Sequence, residues 1–215
     1  MGEISLGHDP NCDVRVFGCL HSFGLIQSPV LSDYLDLLRS CGAFLEGHFR
    51  LSSGLHSGVY VEKFRLLEHP EITAKFAEVI AGHFRDQGIE RVVGPLTGGV
   101  LVAHEVARQL GLPLAFPERM EGRMEWRRGF RICSGQRVLV CEDVITTGKS
   151  VMEVMQAVTR EGGTVIGVGT LVQRGPSEIK PEPFAVVRLN LDTFSPDKCP
   201  LCAANVPLEK RGSRA

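Results

Sequence analysis

No stretch of this chain approaches the run of about 18 apolar residues that a membrane-spanning helix needs, so no span is expected. The first residues, MGEISLGHDPNCDVRVFG, lack both a basic start and a sustained apolar segment, so no secretory signal is expected either. Charge of one sign is also missing. Against 25 Asp and Glu stand 24 Lys and Arg, a net charge of -1, which gives no compositional support for binding nucleic acid. Seven cysteines, an odd number, scatter through the chain without the dense even spacing of a secreted disulfide framework. A cytoplasmic protein is expected, with Cys133 and Cys141 serving mainly as packing residues.

A nucleotide-binding P-loop is absent as well. Gly148, Lys149 and Ser150 end like one, but the earlier glycine that the pattern requires is not there. What stands in its place is VLVCEDVITTGKS, from Val138 to Ser150. Val138 to Cys141 reads as a short buried parallel strand, continuous in apolar residues. Glu142 and Asp143 follow, and then Val144, Ile145, Thr146, Thr147, Gly148, Lys149 and Ser150 lead into a helical pattern. Free backbone N–H groups, hydroxyls and the positive end of a helix dipole at one turn suit a phosphate. The two carboxylates suit a vicinal diol, although an isolated Glu-Asp pair could equally cap the helix.

The rest of the chain alternates apolar runs with amphipathic helices, predicting repeated β-α units and a parallel sheet covered by helices, with ligands at the carboxyl ends of its strands. Leu31 to Ser40 reads as a helix packed in an accessory hood, RLSSGLHSGVYVEKF as a hairpin, and Ile72 to Gln87 as a core helix behind Pro70. RVVGPLTGG places Gly98 and Gly99 at a helix entrance where backbone must approach something closely, which fits a diphosphate loop. Between Glu118 and Arg131 lie Arg119, Arg123, Arg127, Arg128 and Arg131. This segment reads either as a solvated hairpin or as a mobile loop that closes over a diphosphate.

Residues 138–150 resemble the phosphoribosyl-diphosphate (PRPP) motif of the type I phosphoribosyltransferases. Gly42 to Ser57, Gly94 to Gly99, Glu118 to Phe130, Leu171 to Gly175 and the CPLC near the end are similar to the orotate branch of that family. The resemblance spans about residues 30–210. It implies an α/β fold of the type I kind, a central parallel twisted sheet flanked by helices with a small hood. The domain would cover 28–210, with hood 28–66 and 192–210, core 67–191, a loose leader 1–27 and a tail 211–215.

The same resemblance implies the chemistry. The activity would be Mg²⁺-dependent transfer of ribose 5-phosphate from PRPP to orotate, giving orotidine 5′-monophosphate and diphosphate in pyrimidine biosynthesis. A purine phosphoribosyltransferase and a non-catalytic PRPP-sensing regulator are the alternatives. Residues 142–150 with Gly98 and Gly99 would hold PRPP, Thr146 and Arg174 the orotate, and Lys63, Arg119 and Arg123 the departing diphosphate. Mg²⁺ would ride on the substrate, with no metal cage made by the protein. A homodimer sharing loop 118–131 across its interface is implied, with no nucleic acid or membrane partner.

Several positions depart from the family pattern. Loop 118–131 has no lysine, and Ser52 and Gly98 stand where some relatives carry lysine. CPLC puts Cys199 and Cys202 at the spacing of half a zinc site, which Cys12 or Cys19 with His8 or His21 could complete. His48, His56, His69 and His104 lie in no nucleophile pattern and read as structural or surface residues, with His48, in the EGHF segment, the strongest candidate among them for a further role.

Overall fold

A computed structural model describes residues 31–211. Helix α1 (Leu31–Ser40) leads into strands β1 (Phe44–Arg50) and β2 (His56–Val61), then short α2 (Lys63–Leu67) and long α3 (Pro70–Phe84). Next come β3 (Arg91–Val93), α4 (Gly98–Leu110), β4 (Leu114–Ala115), β5 (Pro117–Met120) and β6 (Arg123–Trp126). The chain continues through β7 (Arg137–Ile145), α5 (Lys149–Arg160), β8 (Thr164–Arg174), β9 (Phe184–Leu189), β10 (Thr193–Phe194), α6 (Pro200–Ala203) and β11 (Glu209–Lys210). None of the described helices is long and apolar enough to cross a membrane.

The main sheet is five-stranded and parallel throughout, in the order β4-β3-β7-β8-β9. Its direction of winding reverses between β3 and β7, which opens a crevice at the carboxyl ends of those two strands. The apolar run of β7 feeds both faces by simple alternation. Leu139 and Cys141 join the layer built by Phe76 and Ile80 of α3 with Val102 and Val106 of α4. Val138 and Val140 join Val151, Val154 and Val158 of α5 on the other side. Each such side chain taken fully out of water contributes about 1.5–3 kcal/mol, so the site rests on a rigid floor.

A second sheet, ordered β10-β2-β1-β11, ties strands from both ends of the described chain together. The β1–β2 hairpin expected from RLSSGLHSGVYV is present and antiparallel. Helix α1 corrects the sequence reading. Instead of lying in the hood, it seats Tyr34 and Leu38, four residues apart on one face, in the main core. Tyr34 meets Phe76 of α3 edge to face at 4.9 Å, a favoured aromatic arrangement. Cys41, Cys141, Cys199 and Cys202 are free thiols. Cys133 is disulfide-bonded, a departure from the packing role expected of it.

Candidate active site

The acid pair does not follow the strand, as the sequence suggested, but lies inside it. β7 runs on to Ile145, with Glu142 opposite Thr170 and Val144 opposite Val172 of β8. Ladder hydrogen bonds carry the strand through two carboxylates because both find local partners. Glu142 Oε1 accepts from Asp143 N at 3.0 Å, and Asp143 Oδ1 from Val144 N at 2.5 Å. Both side chains are buried.

The space around them is set by α4. A Cβ on Gly98 would meet Asp143 Oδ2 at 1.6 Å, and one on Gly99 would meet Glu142 Oε1 at 2.6 Å. The glycine pair therefore admits the acid pair, which brings the loop after β3 and the end of β7 to one place.

Lys63, the first residue of α2, completes the cluster with its Nζ 2.8 Å from Asp143 Oδ2. The contact is an ion pair by distance, but Oδ2 has no well-directed hydrogen bond and remains available to a donor. Partial burial pulls the Lys63 ammonium down. The attraction of Asp143, their contact and the nearby Glu142 outweigh that and hold it above its ordinary value. Glu142 is pushed well above the usual carboxylate value, first by burial and then by the charge of Asp143.

The turn expected to hold a phosphate lies at the end of β7, and the helix after it starts at Lys149, one residue before the helical pattern read from the sequence. Thr146 and Thr147 are exposed, Gly148 is the N-cap at φ 73°, and α5 begins at Lys149. Gly148 brings no capping side chain, and Thr147 Oγ1 accepts from Lys149 N at 3.5 Å, so the first turn of α5 lies beside the two threonines. A Cβ on Gly148 would strike Ile179 Cδ1 at 2.5 Å. Lys149 and Ser150 are exposed on the first turn, whereas the Ile145 side chain is buried in the α5 layer and can offer a ligand only backbone.

Arg174 ends β8. Since Gln173 pairs with Ile145 across the ladder, Arg174 stands next to the start of the turn, about 4.8 Å away in strand spacing. Its Cζ lies 6.0 Å from the centre of the Tyr60 ring, and its buried Nε has no hydrogen-bond partner. Burial pulls its basicity down, with Tyr60 opposing. Tyr60 was not anticipated; only its place in the alternating VYV of β2 hinted that it faces a neighbour.

The arginine segment is an ordered hairpin. β5 and β6 pair antiparallel from Pro117↔Trp126 to Met120↔Arg123, around a two-residue turn at Glu121 (φ 47°) and Gly122 (φ 83°). Two successive positive φ values mark the turn type whose twist matches a hairpin. The hairpin docks on α5: Trp126 Nε1 donates to Ala157 O at 3.1 Å and Arg119 pairs with Glu153. Arg128 pairs with Glu118 of the same hairpin. Arg123 is exposed. Thus Lys63, Glu142, Asp143, Gly98 and Gly99 come together, with the turn and Arg174 adjoining, while Arg119 and Arg123 sit on a hairpin packed against α5.

The histidines separate. His69 is at the N-cap of α3 and His104 is exposed on α4. His48 and His56 are buried in the hood beside Cys199 and Cys202. The partners expected for the cysteine pair, His8, Cys12, Cys19 and His21, lie outside the described residues.

Residues 64–198 match the model of the phosphoribosyl transferase domain, more than half of the chain. The orotate phosphoribosyltransferase of Desulforamulus reducens is 45% identical over 184 residues, covering 85% of this chain and 96% of that protein. Among solved structures, orotate phosphoribosyltransferase from Aeropyrum pernix is similar with a TM-score of 0.63 at 28% identity, covering 72% of this chain and 92% of that one. The Mycobacterium tuberculosis H37Rv orotate phosphoribosyltransferase in complex with 5-phospho-alpha-D-ribosyl 1-diphosphate matches with a TM-score of 0.57 at 27% identity, over 75% of this chain and 97% of that one.

Proposed function

The chain belongs to the orotate phosphoribosyltransferase family, and on that footing we propose that it transfers ribose 5-phosphate from PRPP to orotate, giving orotidine 5′-monophosphate and diphosphate in pyrimidine biosynthesis. The observation that carries this reading is the pairing of the buried Glu142–Asp143 cluster with Arg174 one strand away, whose Nε has no hydrogen-bond partner. The 5-phosphate would sit on Thr146, Thr147 and the amides opening α5, where a helix N-terminus favours a dianion. Glu142 and Asp143 then face the ribose hydroxyls.

Orotate carries a carboxylate, and Arg174 Nε is a buried donor without an acceptor. A carboxylate is the ligand that relieves it, by a charge-assisted pair. A purine acceptor brings no such anion, so Arg174 favours the orotate reading over the purine one. Thr146 stands between the two subsites and would touch the base.

No enzyme nucleophile is needed. The ring nitrogen of orotate attacks C1 of the ribose as diphosphate leaves, through a cationic sugar. The protein's part is to hold both substrates in line and to stabilise negative charge building on the leaving group. Lys63 would do so from the α2 side. Arg119 and Arg123 would do so once the hairpin lifts from α5. The partly exposed Arg119–Glu153 pair contributes only about 0–1 kcal/mol to that docking, and the Trp126–Ala157 hydrogen bond and the buried Met124 must be released with it.

The donors at the acid pair bear on how Mg²⁺ would be held. Among the described residues the acid pair offers two adjacent carboxylates, one held by Lys63. That fits an ion carried by diphosphate and ribose oxygens and by water. Bound there, Mg²⁺ would neutralise diphosphate charge. A homodimer that shares the hairpin across its interface completes the proposal. The compartment proposed is the cytoplasm, in keeping with four free thiols among the described cysteines, alongside the disulfide-bonded Cys133. Formation of orotidine 5′-monophosphate, with purine bases as competing acceptors, tests the assignment.

A further inference from the structure

Far from the phosphate turn in sequence, the hood gathers four metal-ligating atoms. His48 of β1, His56 at the start of β2, and Cys199 and Cys202 flanking the start of α6 bring one ligand atom each to within 4.8 Å of one another. His48 Nε2 is 3.0 Å from His56 Nδ1, 3.5 Å from Cys199 Sγ and 3.7 Å from Cys202 Sγ. Cys202 Sγ is 3.3 Å from His56 Nδ1. From Zn–N and Zn–S bond lengths, the edges of a tetrahedral two-nitrogen, two-sulfur site are about 3.3 Å for N···N and about 3.6 Å for N···S. The observed separations fall around those values.

Hydrogen bonding alone serves this arrangement poorly. His48 Nδ1 lies 2.9 Å from Val206 O, an acceptor only, so Nδ1 carries the proton and Nε2 presents a single lone pair. Three groups, an imidazole nitrogen and two sulfurs, converge on that one lone pair. A cation at the centre satisfies all four at once, and the Val206 carbonyl is then the outer partner that fixes the tautomer of a ligating histidine. His48, His56 and Cys199 are buried, so the centre is largely closed to water.

We infer that His48 Nε2, His56 Nδ1, Cys199 Sγ and Cys202 Sγ form a structural zinc site that fastens the C-terminal segment onto the hood. Two imidazoles and two thiolates in a tetrahedron select zinc over hard cations, and a full set of four protein ligands leaves no open position for catalysis. Binding releases a proton from each cysteine that enters as thiolate. The site holds β1 and β2 to the segment that supplies β10 and β11, both of which pair with them. β2 carries Tyr60 and leads directly into Lys63, so the staple sets the frame for the base side of the active site.

The test is zinc content of the full-length protein, purified under reducing conditions without chelator, dialysed, and compared with Cys202→Ser. Cys202 is exposed, so this variant changes a ligand without opening the core. The proposal expects one zinc per chain in the parent and at least a tenfold loss in the variant. It also expects EDTA to lower the melting temperature of the parent alone. Reconstitution with Co²⁺ should give the intense visible absorption of tetrahedral thiolate coordination. Parent protein that, after reconstitution with Zn²⁺, holds no more zinc than Cys202→Ser would overturn it, whether or not the enzyme is active on orotate.

Discussion

Gly98 and Asp143 are packed so closely that a single methyl group cannot come between them: a Cβ at position 98 would lie 1.6 Å from Asp143 Oδ2. Two segments that the sequence separates by three strands, β4, β5 and β6, are thereby one unit. The loop after β3 cannot change at Gly98 without moving the Asp143 carboxylate.

Gly98→Ala should therefore displace either Asp143 or the loop, destabilising the protein by about 1–3 kcal/mol as overpacking does. Affinity for PRPP, measured by calorimetry, should drop with it. Gly82→Ala is the control, because this exposed position in α3 has nothing within 4 Å of the new Cβ and should gain about 0.5–1 kcal/mol. Equal effects of the two substitutions would contradict the coupling.

Glu142 predicts a pH signature. Burial and Asp143 hold its carboxyl above the ordinary 4.5 in the folded protein, so the native state keeps a proton that the unfolded chain has lost. Stability should fall as pH rises above about 4.5 and level off once the folded carboxyl ionises. Glu142→Gln removes that slope. Melting curves should show the variant gaining on the parent as pH rises from acid to neutral, while its affinity for PRPP falls. A difference in melting temperature that stays constant with pH would remove the basis for this reading.

Arg174→Ala should raise the KM for orotate by roughly 10- to 100-fold, the loss of a charged hydrogen-bonded pair of about 1.5–3 kcal/mol, and leave the Kd for PRPP within about twofold. Arg174→Lys should recover little, since a lysine lacks the planar fork. Collapse of PRPP binding with orotate binding intact would place the base elsewhere.

Arg119→Ala should lower kcat while leaving the Kd of PRPP in the absence of orotate little changed, because in the docked hairpin Arg119 is held by Glu153 on α5. Steady-state kinetics and PRPP titration separate the two. Weaker PRPP binding at unchanged kcat would mean that Arg119 acts in the ground state instead.

Much of this was legible in the sequence. The 3.6-residue spacing of Ile72, Phe76, Val79, Ile80 and Phe84 predicted α3, and the run from Val138 predicted the central strand with its phosphate turn. The strand was read too short because a Glu-Asp pair ends an apolar pattern, and only the glycines of α4 and Lys63 explain how buried carboxylates are tolerated there. α1 was assigned to the hood because its leucine stripe names no partner; Phe76, its contact, is dozens of residues on. The four-ligand cluster was out of reach for the same reason, with His48 and Cys199 separated by 151 positions. Spacing rules describe neighbours along a chain, and β1 meets the C-terminal segment through the hood sheet and the His48 side chain.

The central claim is tested most directly by incubating the protein with PRPP, Mg²⁺ and either orotate, hypoxanthine or adenine, and identifying the nucleotide formed. The account predicts orotidine 5′-monophosphate and diphosphate in equal amounts from orotate, with turnover on either purine lower by at least about 100-fold, the ratio that an unmet charged contact of about 3 kcal/mol gives. Purine nucleotide as the main product, or no nucleotide from any base, would contradict it.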